Sequence, residues 1–162
     1  MPLTIYEAME SDVETLRGDD RLIKALKIMR ERDFDQMPVV DERGSLTGVV
    51  CHRWLVQDGH ALNTPAARSS LISNVMRRRD ECPPGMVLQE DVKVCDLLDY
   101  YYHHDFLIVV GAGDRVVGIV QLWDVARELC KGLDTPAPLD PGPQPFTAPR
   151  QPSLTRLPRP RW

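Results

Sequence analysis

MPVVDERGSLTGVVCHRWL, residues 37–55, decides how this chain folds, because IVVGAGDRVVGIVQLWDV, residues 108–125, has the same shape. Each reads as a short apolar run rich in β-branched residues, a polar turn, a second apolar run and the start of a helix. DERG makes the turn in one and GAGD in the other. The chemistry does not repeat. Six residues after Gly118 stands an acid, Asp124, and six residues after the matching Gly48 stands Trp54. One scaffold is built twice and only one copy is armed.

The repeat extends outward from the hairpins. Residues 13–50, VETLRGDDRLIKALKIMRERDFDQMPVVDERGSLTGVV, lie over residues 86–120, MVLQEDVKVCDLLDYYYHHDFLIVVGAGDRVVGIV. Leu22, Ala25, Leu26 and Met29 meet Val94, Leu97, Leu98 and Tyr101, the i, i+3, i+4, i+7 spacing of a helix with one apolar face. Phe34 meets Phe106, and a two-residue gap then aligns the hairpins. The lead-ins TIYEAM (4–9) and LISNVM (71–76) also correspond. Each half therefore reads strand, helix, strand, strand, helix: an α+β, mixed α/β chain of two β-α-β-β-α repeats. Residues 1–66 form the first repeat, 67–133 the second and 134–162 a tail. A half of this length has little core of its own, so the open sheet faces are expected to pack together about a pseudo-twofold axis.

Composition narrows the function classes. Net charge is −4, with an acidic body and a mildly basic tail. An acidic body lacks the clustered cations that nucleic-acid binding needs, and Arg77-Arg78-Arg79 is the one local exception. No apolar run approaches the ~18 residues of a membrane span, and the acidic N-terminus does not resemble a secretory signal. Cys51, Cys82, Cys95 and Cys130 show no CxxC spacing, which suits a reducing cytoplasm. The tail holds nine of the fourteen prolines and no apolar periodicity, so it reads as disordered.

Two constellations invite chemistry and carry little. His103 and His104 are neighbours, and neighbours on a helix point ~100° apart, which chelates poorly. Cys51-His52 has no orienting third residue, so neither a metal nor a nucleophile is assigned and no enzyme activity is expected.

The element order and the stretches DDRLIKALKIMRERDFDQMPVVDERGSLTGVV and DVKVCDLLDYYYHHDFLIVVGAGDRVVGIVQLWDV resemble a tandem pair of cystathionine β-synthase (CBS) domains, a Bateman module. The resemblance spans residues 4 to about 131. It implies a disk with two clefts, adenosine-containing ligands such as AMP, ATP or S-adenosylmethionine, and a homodimer. It also implies a cleft motif of glycine, two apolar residues, Ser or Thr, two variable residues, and Asp. In that motif the hydroxyl sits where helix N–H groups meet phosphate, and the carboxylate accepts from a ribose diol. Such charge-assisted bonds are worth about 1.5–3 kcal/mol each.

Against this motif the first half departs twice, with Cys51 for the hydroxyl and Trp54 for the acid. An indole cannot accept from a ribose, and its bulk would close that cleft. The second half keeps Asp124 but carries Gln121 at the hydroxyl position. Carried over residue by residue, Asp124, Gln121, Trp123 and Ile119 would face Met9, Glu14, Phe34, Asp35 and Gln36. Asp35 and Gln36 stand where phosphate-binding members are often basic, and an acid beside a polyphosphate costs about 1 kcal/mol per charge pair. AMP or a cationic adenosyl ligand therefore fits better than ATP. The expectation is a cytoplasmic, non-catalytic regulatory module that acts on an unknown protein partner, with no nucleic acid, membrane or metal involved. The alternative is a ligand-free dimerisation or interaction module, in which Asp124 serves only as a first-turn acid on its helix.

Overall fold

The computed structural model describes residues 4–97, 104 and 106–130. Its contacts divide the chain into Met1–Gly132 and Leu133–Trp162, and every described residue belongs to the first unit. The proline-rich tail lies outside the described residues, as do Leu98, Tyr101 and His103.

The first repeat supplies β1 (Leu16–Arg17), α2 (Leu22–Arg32), β2 (Gln36–Val40), β3 (Leu46–Cys51) and α3 (His52–Gln57), with a lead-in helix α1 (Ile5–Ala8). A linker helix α4 (Pro65–Ser69) precedes the second lead-in, α5 (Ile72–Val75) and β4 (Arg77–Arg78). The second repeat continues with β5 (Val87–Gln89), β6 (Phe106–Val110), β7 (Val116–Gln121) and α6 (Leu122–Cys130). Among the described residues the sheets run β1-β2-β3-β4 and β5-β6-β7. The β1–β2 and β5–β6 pairs are parallel and the remaining pairs antiparallel, so both sheets are mixed.

The apolar spacing of α2 forms the stripe it implied, with Leu22, Ala25 and Met29 buried and Leu26 half-buried. The helix stops at Asp33, whose left-handed φ of 56° turns the chain out while its N–H still donates to Met29. In the second half, Val94 and Leu97 are buried at the corresponding helix start.

The hairpins match in detail. Gln36 stands opposite Cys51 and Phe106 opposite Gln121, and both ladders slip register at the same step, Val39/Val40 and Val109/Val110. This corrects one expected equivalence: Phe106 corresponds to Gln36, not to Phe34, whose counterpart is His104. Matching one phenylalanine to another hides such a shift, whereas backbone pairing does not.

Alternation along the strands splits the core into layers. Leu107, Val109 and Val120 face a second-repeat core with Leu88, Leu97 and Val125. Phe106, Ile108 and Val110 face the other way, with Met86 of their own repeat, onto Leu46, Val49, Cys51 and Trp54 from across the molecule. That shared layer is the sheet-on-sheet packing expected from two half-cores. An isolated antiparallel bridge joins Ser45 to Arg115, which are equivalent positions of the two hairpins, so it lies on the pseudo-twofold axis. Around it Val116 N–H donates to Gly44 O at 3.1 Å, and Ser45 Oγ donates to Gly113 O at 2.7 Å.

The lead-ins are exchanged. Ile5 and Ala8 of α1 pack into the second repeat's core, and Ile72 and Val75 of α5 into the first. Glu10 and Ile119 exchange both backbone hydrogen bonds, at 2.8 and 3.0 Å, while Arg77 and Arg78 pair with Val49 and Gly48. The crossing explains both motif glycines. A Cβ on Gly48 would stand 2.6 Å from Arg77 O, and one on Gly118 would stand 2.9 Å from Met9 Cγ and 3.1 Å from Glu10 O. No helix among the described residues is long and apolar enough to cross a membrane.

Candidate ligand-binding cleft

The lead-in laid along β7 forms one wall of a cleft. The α2–β2 connection forms the opposite wall, and the end of β7 with the first turn of α6 closes its floor. The cleft is lined by Glu10, Asp12, Val13, Glu14, Phe34, Gln36, Ile119, Gln121 and Asp124, and encloses about 400 Å³ including its open mouth.

Local structure fixes each wall. Phe34 is held by its N–H bond to Met29 O, 2.9 Å, directly after the left-handed Asp33. Asp124 lies in the first turn of α6, its side chain 19% exposed, and its Oδ1 accepts from Arg127 Nη2 at 3.0 Å. Glu14 is paired from the other side by Arg32, also at 3.0 Å. Four lining residues thus carry carboxylates and none carries a cation. Arg32 and Arg127 pair with two of these carboxylates, and each is more than half exposed.

Six of the nine residues carried over from the motif line this cleft together: Asp124, Gln121, Ile119, Glu14, Phe34 and Gln36. Three do not. Trp123 is 75% exposed and points away from the lining. Met9 packs against the second-repeat core, beneath Gly118. Asp35 lines a neighbouring, more polar hollow of about 570 Å³, with Gln36, Cys51, His52, Arg53 and Phe106, so Gln36 stands in the wall between the two. Sequence reasoning missed Glu10, Asp12 and Val13. The only available signal was the likeness of the two lead-ins, which does not say that each crosses to the other sheet.

A buried indole stands at the twofold counterpart of Asp124. Trp54 is 7% exposed, with its ring centroid 6.4 Å from that of Phe106 and the guanidinium of Arg77 stacked 4.4 Å over it. Asp58 holds that guanidinium, accepting from Nη2 at 3.1 Å and from Nε at 3.4 Å. His104, 8% exposed, sits where Phe34 stands in the open cleft, its Nε2 2.8 Å from Pro84 O.

Two repeats about a twofold axis, with exchanged lead-ins and a cleft at the second motif, can be compared with known proteins. The CBS domain family model matches residues 5–53. A conserved CBS domain protein from Thermoplasma acidophilum aligns with TM-score 0.63 and 27% identity, over 78% of this chain and 69% of that one. The CBS domain pair/ACT domain protein of Thermotoga maritima aligns with TM-score 0.63 and 20% identity, over 82% and 100%. Residues 5–53 match the CBS domain, and the fold of the chain is that of CBS-domain pair proteins.

Curated relatives agree over the same span. Inosine-5′-monophosphate dehydrogenase of Methanocaldococcus jannaschii is 27% identical over 123 residues, which is 75% of this chain but 22% of the dehydrogenase. An uncharacterised protein of Bacillus subtilis is 29% identical over 124 residues, 75% of this chain and 79% of that one. The chain therefore spans about a fifth of the first relative and most of the second.

Proposed function

We propose that this CBS pair is a non-catalytic regulatory module that binds one adenosine-containing ligand per chain and thereby alters its association with a protein partner. The observation that carries the reading is the asymmetry of the motif acids: Asp124 faces an open cleft with Phe34 opposite, and Trp54 fills the matching space. Asp124 would accept from the ribose hydroxyls, Gln121 would donate to the group on the 5′ carbon, and Phe34 would cover a face of the base. Ordering the ligand between walls from both repeats favours the packing in which those walls are correctly spaced. A ligand with such a preference shifts the population toward that packing.

The charge of the lining selects among adenosine ligands. Four carboxylates, two of them neutralised by arginines, make a polyphosphate the least favoured cargo and a cationic adenosyl sulfonium the most favoured, with AMP between. Melting the full chain with S-adenosylmethionine, AMP and ATP at millimolar concentration tests this order. Binding to the folded state must raise the midpoint, more for the first two than for ATP.

A second reading rests on the Asp124–Arg127 pair, which already satisfies one carboxylate oxygen, and on Trp123, exposed on the outer face. Both suit an interaction module without a small ligand. An unchanged midpoint with every adenosine compound favours it.

A further inference from the structure

In the first repeat, α2 and the linker helix α4 flank a groove lined by Ile23, Leu26, Lys27, Arg30 and Arg68. It measures about 740 Å³ with its open mouth. Its lining holds three cations and no acid, in a chain whose net charge is −4. Its floor is apolar: Ile23 is 45% exposed, and Leu26 is packed against the first-repeat core.

The cations are held in place rather than neutralised. Arg68 Nε donates to Leu62 O at 3.1 Å, a bond to the backbone that anchors the guanidinium without neutralising it. The short helix carrying it is fixed at both ends. Thr64 Oγ1 accepts from Ala67 N–H at 3.2 Å with Pro65 in the first turn, and Arg21 Nη1 donates to Ser69 O at 2.6 Å. Arg30 makes no ion pair among the described residues. Lys27 meets Glu31 only at 3.9 Å with both side chains exposed, a pairing of little strength.

We infer that this groove is the docking site for an acidic, amphipathic segment of a partner protein. One large apolar side chain of that segment covers Ile23 and Leu26, and its carboxylates meet Arg30, Arg68 and Lys27. Charge selects this occupant. A neutral apolar segment would bury the cation-lined rim without compensation, and a basic one would be repelled. The bidentate geometry of the guanidinium favours carboxylates as partners. The groove shares no lining residue with the ligand cleft, so the inference stands whether or not an adenosine ligand binds there.

The test uses the full chain, labelled with ¹⁵N, and a short synthetic amphipathic peptide of glutamate and leucine. Two control peptides replace every glutamate by lysine or every leucine by serine. The glutamate–leucine peptide is expected to shift the amides of Ile23, Leu26, Lys27, Arg30 and Arg68, and neither control should do so. The double substitution Arg30→Glu, Arg68→Glu, at exposed positions, should weaken binding at least about tenfold while leaving the melting midpoint near that of the wild type. Raising salt from about 0.05 M to about 0.5 M should weaken it as well. Absence of these shifts, equal binding by the charge-reversed variant, or amide shifts on dilution that reveal a second copy already seated on Ile23 would each overturn the inference.

Discussion

Trp54 and Asp124 occupy the same position in the two repeats, and the structure gives them opposite fates. The indole is 7% exposed, sandwiched between Phe106 and Arg77, while the carboxylate lines an open cleft beside Arg127. Their stabilities on truncation must therefore differ. Trp54→Ala removes a core ring and should cost about 3–5 kcal/mol in denaturant unfolding. Asp124→Ala loses only a partly exposed i, i+3 pair and should cost about 0.5 kcal/mol or less. Trp123→Ala, on the outer face, should lie within about 0.5 kcal/mol of the wild type.

The motif glycines should be intolerant for a steric reason. At Gly48 a methyl group meets the Arg77 carbonyl, which belongs to a strand and cannot rotate away. Gly48→Ala is expected to destabilise by about 1–3 kcal/mol, in the range of overpacked cores. Gly118→Ala meets the flexible Met9 side chain first and the Glu10 carbonyl second, so its cost should be smaller. Its larger effect should be on ligand affinity, because it displaces the wall that carries Glu10 to Glu14. Unfolding curves and binding titrations on the two variants separate these outcomes.

The turn at the twofold axis carries a pH dependence. Asp41 accepts from the backbone N–H of Ser45 at 2.9 Å and of Arg43 at 2.8 Å, and these bonds, Ser45's first, hold its carboxyl below the ordinary carboxylate range. A depressed folded-state pKa contributes stability above the unfolded value, and that contribution is lost as pH falls through the folded one. Asp41→Ala should therefore be less stable than the wild type at neutral pH and converge with it below the carboxylate range. Melting midpoints across acidic pH measure the convergence.

Arg32 tests the electrostatics of the cleft without touching its floor. Its guanidinium neutralises Glu14 from an exposed position. Arg32→Ala should tighten a cationic adenosyl ligand by about twofold to fivefold and weaken AMP by a similar factor, the size of an exposed pair. Titrations of both ligands into one variant reveal the opposite signs.

The scaffold was readable because it is written in periodicities. The i, i+3, i+4 stripe of α2, the β-branched runs flanking DERG and GAGD, and the large Trp54 where an acid is expected all act through burial, which a sequence displays directly. The Phe34–Phe106 equivalence failed because two aromatics aligned better than a glutamine and an aromatic, although the ladder pairs Gln36 with Cys51 and Phe106 with Gln121. The same limit hid Glu10, Asp12 and Val13. Their place in the cleft follows from the backbone bonds between Glu10 and Ile119, a long-range pairing that leaves no local pattern. Trp123 and Met9 were placed by motif position alone. Their actual directions depend on how α6 and α1 are turned, and side-chain type does not encode that.

The most direct measurement is calorimetric titration of S-adenosylmethionine into the wild-type chain, Asp124→Asn and Trp123→Ala, with methylthioadenosine to isolate the adenosyl contribution. One site per chain is expected, weakened at least about tenfold by Asp124→Asn, roughly 1.4 kcal/mol or more, and unaffected by Trp123→Ala. Equal affinity in wild type and Asp124→Asn, or two sites per chain, would contradict a single ribose-binding carboxylate in a half-closed pair of clefts.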